Sequence, residues 1–318
     1  MKMHRLGSQG PEISVIGFGA WEAGGDMWGP NPEEEDVIAA MRTGFDAGIT
    51  WIDTAEVYGR GTSEELVGRA TADRRDEIFI ATKVAPKPSG TGFRPEEVRD
   101  ACQASLKRLG TDWIDLYQLH WPDGTGVPVE ETWAGMAALV EEGLVRFIGM
   151  SNYGREAVER CLAVRHVDTL QPNFSMLHLE NRELVRWCGD RGIGVVAYGP
   201  LAFGLLTGAI TTETTFHPRD WRSGNGESGL YDQLFAPGKI ERSLAVVDGL
   251  RPIAERLGVT LAQLALAWVW HQPGVTSAIA GSRNAQHVKD NAGAGDVELD
   301  GATLAEIEEL VPLGPDFG

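Results

Sequence analysis

Eight short and mostly apolar runs constrain the fold of this chain of 318 residues more than any other feature. Runs of this length that lack polar alternation are typical of parallel strands buried on both faces. They lie at 15–19, 51–53, 78–83, 114–120, 145–150, 169–171, 194–198 and 276–280. Their order and spacing leave room for a helix after nearly every strand.

Helical patterns fill the gaps between these runs. Val37, Met41 and Phe45 repeat at intervals of four, and Gly48 supplies a stop signal. Further helices are predicted at 62–72, 95–110, 130–142, 154–164, 180–191, 240–257, 261–271 and 302–310. Eight consecutive βα units favour the α/β class and a single (β/α)8 TIM barrel, one domain over residues 1–318, rather than an open sheet.

Two segments depart from this alternation. Residues 4–13 predict a short N-terminal β-hairpin that closes the bottom of the barrel. Residues 203–239 lack periodicity and predict a long loop after the seventh barrel strand, of the kind that is often functional. Within it, 224–229 fits the glycine pattern of dinucleotide-binding folds. That pattern needs a preceding strand and a following helix, so we interpret it as an ordinary loop.

Composition narrows the classes of function. The chain has 28 Lys and Arg against 46 Asp and Glu, a net charge of −18, which disfavours nucleic acid and anionic membrane surfaces as partners. No stretch reaches the ~18 apolar residues of a membrane span, and the N-terminus lacks the apolar segment of a signal peptide, so we expect a cytoplasmic protein. Cys102, Cys161 and Cys188 are predicted core residues, and the scattered histidines predict no metal site.

Four titratable residues fall where barrel strands should end. Asp53, Lys83 and His120 each terminate an apolar run, and Tyr58 follows Asp53 by five positions. Alone, each has a plain structural explanation, such as a turn former, a surface charge or a hydrogen-bonded histidine. In a TIM barrel, however, the carboxyl ends of all strands face one mouth, where active sites lie. The joint pattern therefore predicts an active site.

The segments around these residues resemble the aldo-keto reductases. The resemblance begins at 45–59 with 63–68 and continues at 106–120, which contain the four residues named above. It runs in order through nearly the whole chain, at 149–152, 171–173, 198–201, 204–208, 281–283 and Asn291. The Tyr-Gly-x-Gly-x-Ser-Glu form at 58–64 and the closing 314–317 are similar to bacterial members near the potassium-channel β-subunits.

The resemblance implies a catalytic role for each of the four residues. Tyr58 would donate a proton to the carbonyl oxygen as the nicotinamide cofactor delivers hydride. An unperturbed tyrosine has a pKa near ~10, and a neighbouring Lys83 ammonium lowers it. Asp53 would pair with Lys83, and His120 would orient the carbonyl through a hydrogen bond. The implied activity is NADPH-dependent reduction of aldehydes or ketones.

The same resemblance implies a binding site for NADPH at the ends of the strands. Ser151, Asn152 and Gln171 would bind the nicotinamide carboxamide, Tyr198 would stack on the ring, and Arg283 would grip the 2′-phosphate. The positions that correspond to the cofactor-binding positions of the family are Gly19, Ala20, Trp21, Asp53, Ser151, Asn152, Gln171, Tyr198, Gly199, Pro200, Leu201, Gly204, Leu206, Gly281, Ser282, Arg283, His287, Asp290 and Asn291.

Three of these positions depart from the pattern of the family. Gly199 stands where relatives often carry serine, so the hydroxyl of that serine is missing. His287 and Asp290 replace the usual Gln and Glu, the residues that contact adenine in relatives.

Two other functions remain open. One is a cofactor-loaded regulatory subunit with little activity, which the likeness to channel subunits suggests. The other is a Schiff-base aldolase that uses Lys83, although such a lysine should lack the carboxylate partner that Asp53 offers.

The strand assignment also predicts the substrate pocket. Trp21, Met27 and Trp28 follow the first barrel strand, Trp121 follows His120, and Tyr153 follows the fifth strand. Apolar and aromatic walls are usual in small-molecule pockets. Glu22 and Asp26 lie nearby and would repel anions, so we expect uncharged aromatic or medium-chain aldehydes to be the better substrates.

Overall fold

The computed structural model describes residues 1–25, 27–223, 232–236 and 238–311. It contains a closed barrel of eight parallel strands, in which each strand pairs with the next along the chain and the last pairs with the first. An antiparallel pair, β1 (Met3–Arg5) and β2 (Glu12–Ser14), precedes it. The barrel strands are β3 (Ile16–Gly19), β4 (Trp51–Asp53), β5 (Phe79–Val84), β6 (Ile114–Leu119), β7 (Val145–Ser151), β8 (Thr169–Gln171), β9 (Gly194–Ala197) and β10 (Val275–Ala280). The predicted TIM barrel and N-terminal hairpin are confirmed.

Helices alternate with these strands and surround the barrel. Side-chain caps fix where some of them begin. Thr260 and Gln263 form a capping box at the start of Leu261–Trp270, and the Asp300 side chain accepts a hydrogen bond from the Thr303 N–H at the start of Gly301–Leu310. The helices are α1 (Glu34–Asp46), α2 (Thr62–Thr71), α3 (Pro95–Leu109), α4 (Val129–Glu141), α5 (Arg155–Leu162), α6 (Arg182–Gly189), α7 (Asp232–Phe235), α8 (Ile240–Leu257), α9 (Leu261–Trp270), α10 (Ala285–Gly293) and α11 (Gly301–Leu310). Among the described residues, none of these helices is long and apolar enough to cross a membrane.

The strand register decides which side chains enter the barrel. Asp53 is aligned with Ala81, and Lys83 with Gln118, so these side chains project to the same inner face. Toward the amino ends of the strands the interior is filled by Trp51 and other apolar side chains, which pack against Leu6 and Ile13 of the hairpin segment. The hairpin therefore covers the amino end of the barrel, and the polar inner residues lie toward the carboxyl end.

Helix α10 is the main element that the sequence patterns did not predict. Only Val288 and Ala292 among its apolar residues are buried, so its periodicity is too weak to be recognised. It begins because the Asn284 side chain accepts hydrogen bonds from the N–H groups of Gln286 and His287. Val288 packs close to Gly44 of α1.

The long connection after β9 contains more structure than a plain loop. Short 3-10 helices cover Ala202–Thr207 and Trp221–Ser223, and α7 follows. Asp26, the glycine-rich 224–229 and the closing 314–317 lie outside the described residues.

Candidate active site

The four residues predicted to act together meet at the carboxyl end of the barrel. Asp53 ends β4, Lys83 lies near the end of β5, and His120 follows β6. All three are buried, with Lys83 fully inaccessible to solvent. Tyr58 begins the short 3-10 helix Tyr58–Gly61 after β4 and is partly exposed. A partly exposed phenol above three buried polar groups is the arrangement expected for a group that meets substrate.

The Lys83 ammonium lies at the centre of the four residues. It donates hydrogen bonds to Asp53 Oδ1 at 2.5 Å, to the Thr54 carbonyl oxygen at 2.8 Å and to the Tyr58 hydroxyl at 3.3 Å. The Tyr58 hydroxyl is also 3.4 Å from His120 Nε2. Three donors on one ammonium thus connect the buried carboxylate to the partly exposed phenol.

Burial shifts the pKa of two members of this set. It lowers the pKa of Lys83 from its usual 10.5, and the Asp53 carboxylate opposes that shift. Burial, with the nearby Lys83 charge, also holds the pKa of His120 well below 6.5, so the imidazole is neutral at physiological pH. His120 Nδ1 is buried and has no partner among the described residues, which suits a tautomer with its proton on Nε2, toward Tyr58.

Two glutamines hold the second oxygen of the Asp53 carboxylate. The Gln171 amide donates to Asp53 Oδ2 at 2.8 Å, and the Gln118 amide lies at 3.4 Å from the same atom. Gln171 was predicted to bind cofactor, and in the structure its amide donates to the Asp53 carboxylate. Gln118 was not predicted, although its place two residues before His120 puts it on the same strand face.

Close backbone packing positions Tyr58. A Cβ atom on Gly24 would lie 2.5 Å from the Gly59 nitrogen, and one on Gly59, which has a φ of +59°, would lie 2.3 Å from the Gly24 oxygen. Neither position has room for a side chain. This contact brings the Trp21 ring beside the Tyr58 ring, with centroids 6.2 Å apart and planes at 29°.

The residues predicted to bind nicotinamide form one connected cluster. Ser151 Oγ donates to the Gln171 carbonyl oxygen at 3.0 Å, and the Tyr198 hydroxyl donates to Asn152 Oδ1 at 2.7 Å. Asn152 adopts a positive φ of 63°. Its amide donates to the His120 carbonyl oxygen at 3.1 Å. The cluster therefore adjoins His120.

The loops after β3, β9 and β10 meet beside this cluster. Arg283 donates to the carbonyl oxygens of Trp28 at 2.8 Å and Pro30 at 2.9 Å. Arg222, which the sequence analysis did not single out, donates to the Phe203 carbonyl oxygen and lies with its guanidinium carbon 5.0 Å from the centre of the Trp28 ring. Both arginines thus border one region at the edge of the mouth.

The other positions matched to the family are distributed around this region. Leu206 packs in the hydrophobic core, and its side chain is buried. On α10, His287 is exposed, Asp290 is partly exposed and Asn291 is buried. The remaining matched positions lie at or just after the carboxyl ends of β3, β9 and β10: Gly19, Ala20, Gly199, Pro200, Leu201, Gly204, Gly281 and Ser282.

The aromatic residues predicted to form the substrate pocket fall into two groups. Trp21 and Trp121 are partly exposed, and Met27 is 39% exposed. Trp28 and Tyr153 are buried, and the Tyr153 hydroxyl donates to the Trp121 carbonyl oxygen at 3.2 Å. The first group can contact a substrate, whereas Tyr153 supports Trp121 from below.

Comparison with known proteins agrees with this fold. A model described as the aldo/keto reductase family matches residues 15–312. The chain therefore belongs to the aldo-keto reductase family, whose members are oxidoreductases, and the family and the fold support carbonyl reduction in general.

Individual relatives cover the full length of the chain. It is 36% identical to "Aldo-keto reductase YhdN" of Bacillus subtilis, over 100% of this chain and 97% of the relative. Among solved structures, the glycerol dehydrogenase AKR11B4 from Gluconobacter oxydans has a TM-score of 0.86 at 29% identity, over 98% of both chains. An aldo/keto reductase from Klebsiella pneumoniae, solved in complex with NADP and acetate, has a TM-score of 0.73 at 31% identity, over 98% of this chain and 96% of the other.

Proposed function

We propose that the protein reduces aldehydes or ketones to alcohols with NADPH, and that Tyr58 supplies the proton. The observation that carries this proposal is the fully buried Lys83, which hydrogen-bonds both the Asp53 carboxylate and the Tyr58 phenol. These hydrogen bonds place a buried ammonium beside the partly exposed phenol of Tyr58, which a tyrosine on the surface lacks.

The residues around the mouth fit a dinucleotide. Ser151, Asn152 and Gln171 offer hydrogen-bonding groups beside the half-buried ring of Tyr198, as a carboxamide and a flat heterocycle require. Arg283 uses two N–H groups of its guanidinium on backbone oxygens, so three of its five donors remain for a phosphate. The NADP complex of the Klebsiella relative supports the same choice of cofactor.

When bound, the cofactor would supply hydride to the carbonyl carbon. The residues of the protein would orient and protonate the carbonyl oxygen. Tyr58 would donate its proton to the oxygen, and the adjacent Lys83 ammonium would stabilise the phenolate that remains. Neutral His120 would orient the carbonyl by donating from Nε2. Asp53, held by Gln171 and Lys83, would keep the ammonium in place.

The surroundings of Lys83 also separate this function from an aldolase. A lysine that forms a Schiff base must become a free amine. Burial lowers the pKa of Lys83 and favours that form, but the Asp53 carboxylate at 2.5 Å opposes the shift and holds the nitrogen in an ion pair. Treatment with borohydride and a carbonyl compound should therefore leave Lys83 unmodified.

The test of this function is NADPH oxidation with a panel of aldehydes and ketones, with the alcohol product quantified. We expect alcohol to form in equal amount to the NADPH consumed, and NADH to be the poorer donor. A protein that binds NADPH tightly but reduces no member of a broad panel would instead be a regulatory subunit.

A further inference from the structure

The side chain of Glu22 lies between the loops that follow β3, β9 and β10. It belongs to the short 3-10 helix Glu22–Gly24, and its side chain is 28% exposed. The sequence suggested that Glu22 would repel anionic substrates at the pocket. In the structure its carboxylate instead faces the arginines at the edge of the mouth.

Arg283 is the nearest cation to this carboxylate. Arg283 Nε is 4.0 Å from Glu22 Oε2. No other acidic side chain in the described part of the chain lies within 4.0 Å of the Arg283 guanidinium. Since the other two guanidinium nitrogens donate to backbone oxygens, Nε faces the one anion near it.

Arg222 and Asp220 complete the charged surroundings of Glu22. Asp220 accepts from Arg222 through both carboxylate oxygens, at 2.9 Å and 2.7 Å. This bidentate ion pair neutralises most of the charge of Arg222. Arg283 therefore has the less compensated charge of the two, and an anion that enters this region should bind there.

We propose that the Glu22 carboxylate competes with the 2′-phosphate of NADP(H) for Arg283, so that cofactor binding is accompanied by uptake of a proton onto Glu22. This inference rests on the proposed function, because it takes Arg283 as the residue that reads the 2′-phosphate. In the binding step the buffer acid gives up a proton, the proton forms an O–H bond with the carboxylate, and the phosphate replaces the carboxylate as the counterion of Arg283.

The acid–base behaviour of Glu22 supports this competition. Burial raises the pKa of its carboxyl from 4.5 to about 7, Arg283 and Arg222 oppose that shift, and Asp220 adds to it. The group is therefore divided between its charged and neutral forms near neutral pH. A phosphate at Arg283 is a further negative charge nearby and raises this pKa again, which draws a proton from solvent.

NADP⁺ should bind more weakly as pH rises through the pKa of Glu22. Below about pH 7 Glu22 is mostly neutral and Arg283 is open to phosphate. As pH rises through that value the carboxylate forms and opposes binding. From pH 6 to pH 8 the Kd for NADP⁺ should therefore rise by about tenfold through this group. NAD⁺ lacks the 2′-phosphate and should show little of this effect.

The experiment is isothermal titration calorimetry of NADP⁺ and NAD⁺ with the full chain, without any turnover. Titrations at pH 7.5 in buffers of different ionisation enthalpy give the number of protons exchanged. Titrations at pH 6 and pH 8 give the change in Kd. Three proteins are compared: wild type, Glu22→Gln, and Glu12→Gln. Glu12 is exposed on the hairpin at the opposite end of the barrel, so its variant controls for the loss of one charge.

We expect wild type to take up roughly 0.7 proton more than Glu22→Gln when NADP⁺ binds at pH 7.5. The 2′-phosphate titrates in the same range, but its contribution is common to both proteins and cancels in this difference. Glu12→Gln should match wild type.

Equal proton exchange in wild type and Glu22→Gln, with NADP⁺ binding intact, would overturn this inference alone. Failure of NADP⁺ to bind at all would overturn the proposed cofactor as well. If Glu22→Gln does not fold, the wild-type buffer series still decides. A phosphate bound beside an arginine can only release protons, so greater net uptake with NADP⁺ than with NAD⁺ must come from the protein, and equal or smaller uptake would overturn the inference.

Discussion

The ammonium nitrogen of Lys83 lies 3.3 Å from the hydroxyl oxygen of Tyr58. The same nitrogen lies 4.9 Å from the centre of the Tyr58 ring, so the positive charge acts on both the hydroxyl and the π system. A phenolate in this place is stabilised as soon as it forms, because the charge is already in position.

Replacement of Lys83 by methionine should reduce kcat by orders of magnitude. It should also remove the decrease in kcat at alkaline pH that deprotonation of the Lys83 ammonium causes in the wild type. Burial lowers the Lys83 pKa below its usual 10.5, so the wild type should lose the ammonium, and with it activity, as pH rises toward that lowered value. The measurement is kcat against pH for both proteins.

The matched control for this variant is Lys87→Met. Lys87 is exposed and pairs with Glu97, so its loss should leave rate and pH profile unchanged. Lys83→Met also leaves the Asp53 carboxylate unpaired, which should cost about 3–5 kcal/mol of stability, and thermal unfolding will report it. A folded Lys83→Met protein with the wild-type rate and profile would break the proposed coupling.

Arg283→Ala should weaken NADPH binding much more than NADH binding. A charge-assisted hydrogen bond to phosphate contributes about 1.5–3 kcal/mol, which corresponds to roughly 10–150-fold in Kd. Arg283 also anchors the loop at Trp28 and Pro30, and loss of that anchor affects both cofactors. The informative quantity is therefore the ratio of the two Kd values from fluorescence titration, and an unchanged ratio would mean that Arg283 does not read the 2′-phosphate.

The pocket should favour uncharged substrates. The Trp21 ring lies beside Tyr58, the Trp121 ring lies beside His120, Met27 is exposed, and the chain carries a net charge of −18. We expect kcat/KM for 4-nitrobenzaldehyde to exceed that for 4-carboxybenzaldehyde. A preference for the carboxylate would show that a basic group anchors the substrate.

The sequence predicted the barrel and the meeting of Asp53, Tyr58, Lys83 and His120 because both follow from short-range patterns. Asp53, Lys83 and His120 each end a buried run, and parallel strands bring such ends to one mouth. The link between Gln171 and Asp53 could not be predicted in this way. It joins residues 118 positions apart and depends on how the barrel closes.

Longer-range contacts between loops were the least predictable part of the site. Arg222 lies in a segment without periodicity, and only folding brings it to Trp28 and to the Phe203 carbonyl oxygen. Helix α10 was missed because it buries few apolar residues, even though it carries the predicted His287, Asp290 and Asn291. Tyr153 follows a barrel strand as predicted, but its burial beneath Trp121 depends on side-chain packing.

The three cysteines should be unreactive in the folded protein. Cys102, Cys161 and Cys188 are buried, and burial raises the pKa of each thiol to about 12. A thiol reagent such as dithionitrobenzoate should modify none of them at neutral pH in the native state and all three in guanidinium. Rapid modification of the native protein would contradict their placement in the core.

The most direct test of the account compares Tyr58→Phe with Tyr117→Phe. Each variant removes one phenol oxygen, but Tyr117 is buried in the wall of β6 with its side chain directed away from the barrel interior, next to Thr82 in register. The measurement is steady-state kcat for an aromatic aldehyde, with the Kd for NADPH determined on the same samples. We predict that Tyr58→Phe loses on the order of 10²–10⁴-fold in kcat and binds NADPH as wild type does, because a positioned general acid is lost. Tyr117→Phe should retain its activity. If Tyr58→Phe keeps more than about a tenth of the wild-type kcat, which is far above the range for loss of a general acid, another group donates the proton and the central claim is wrong.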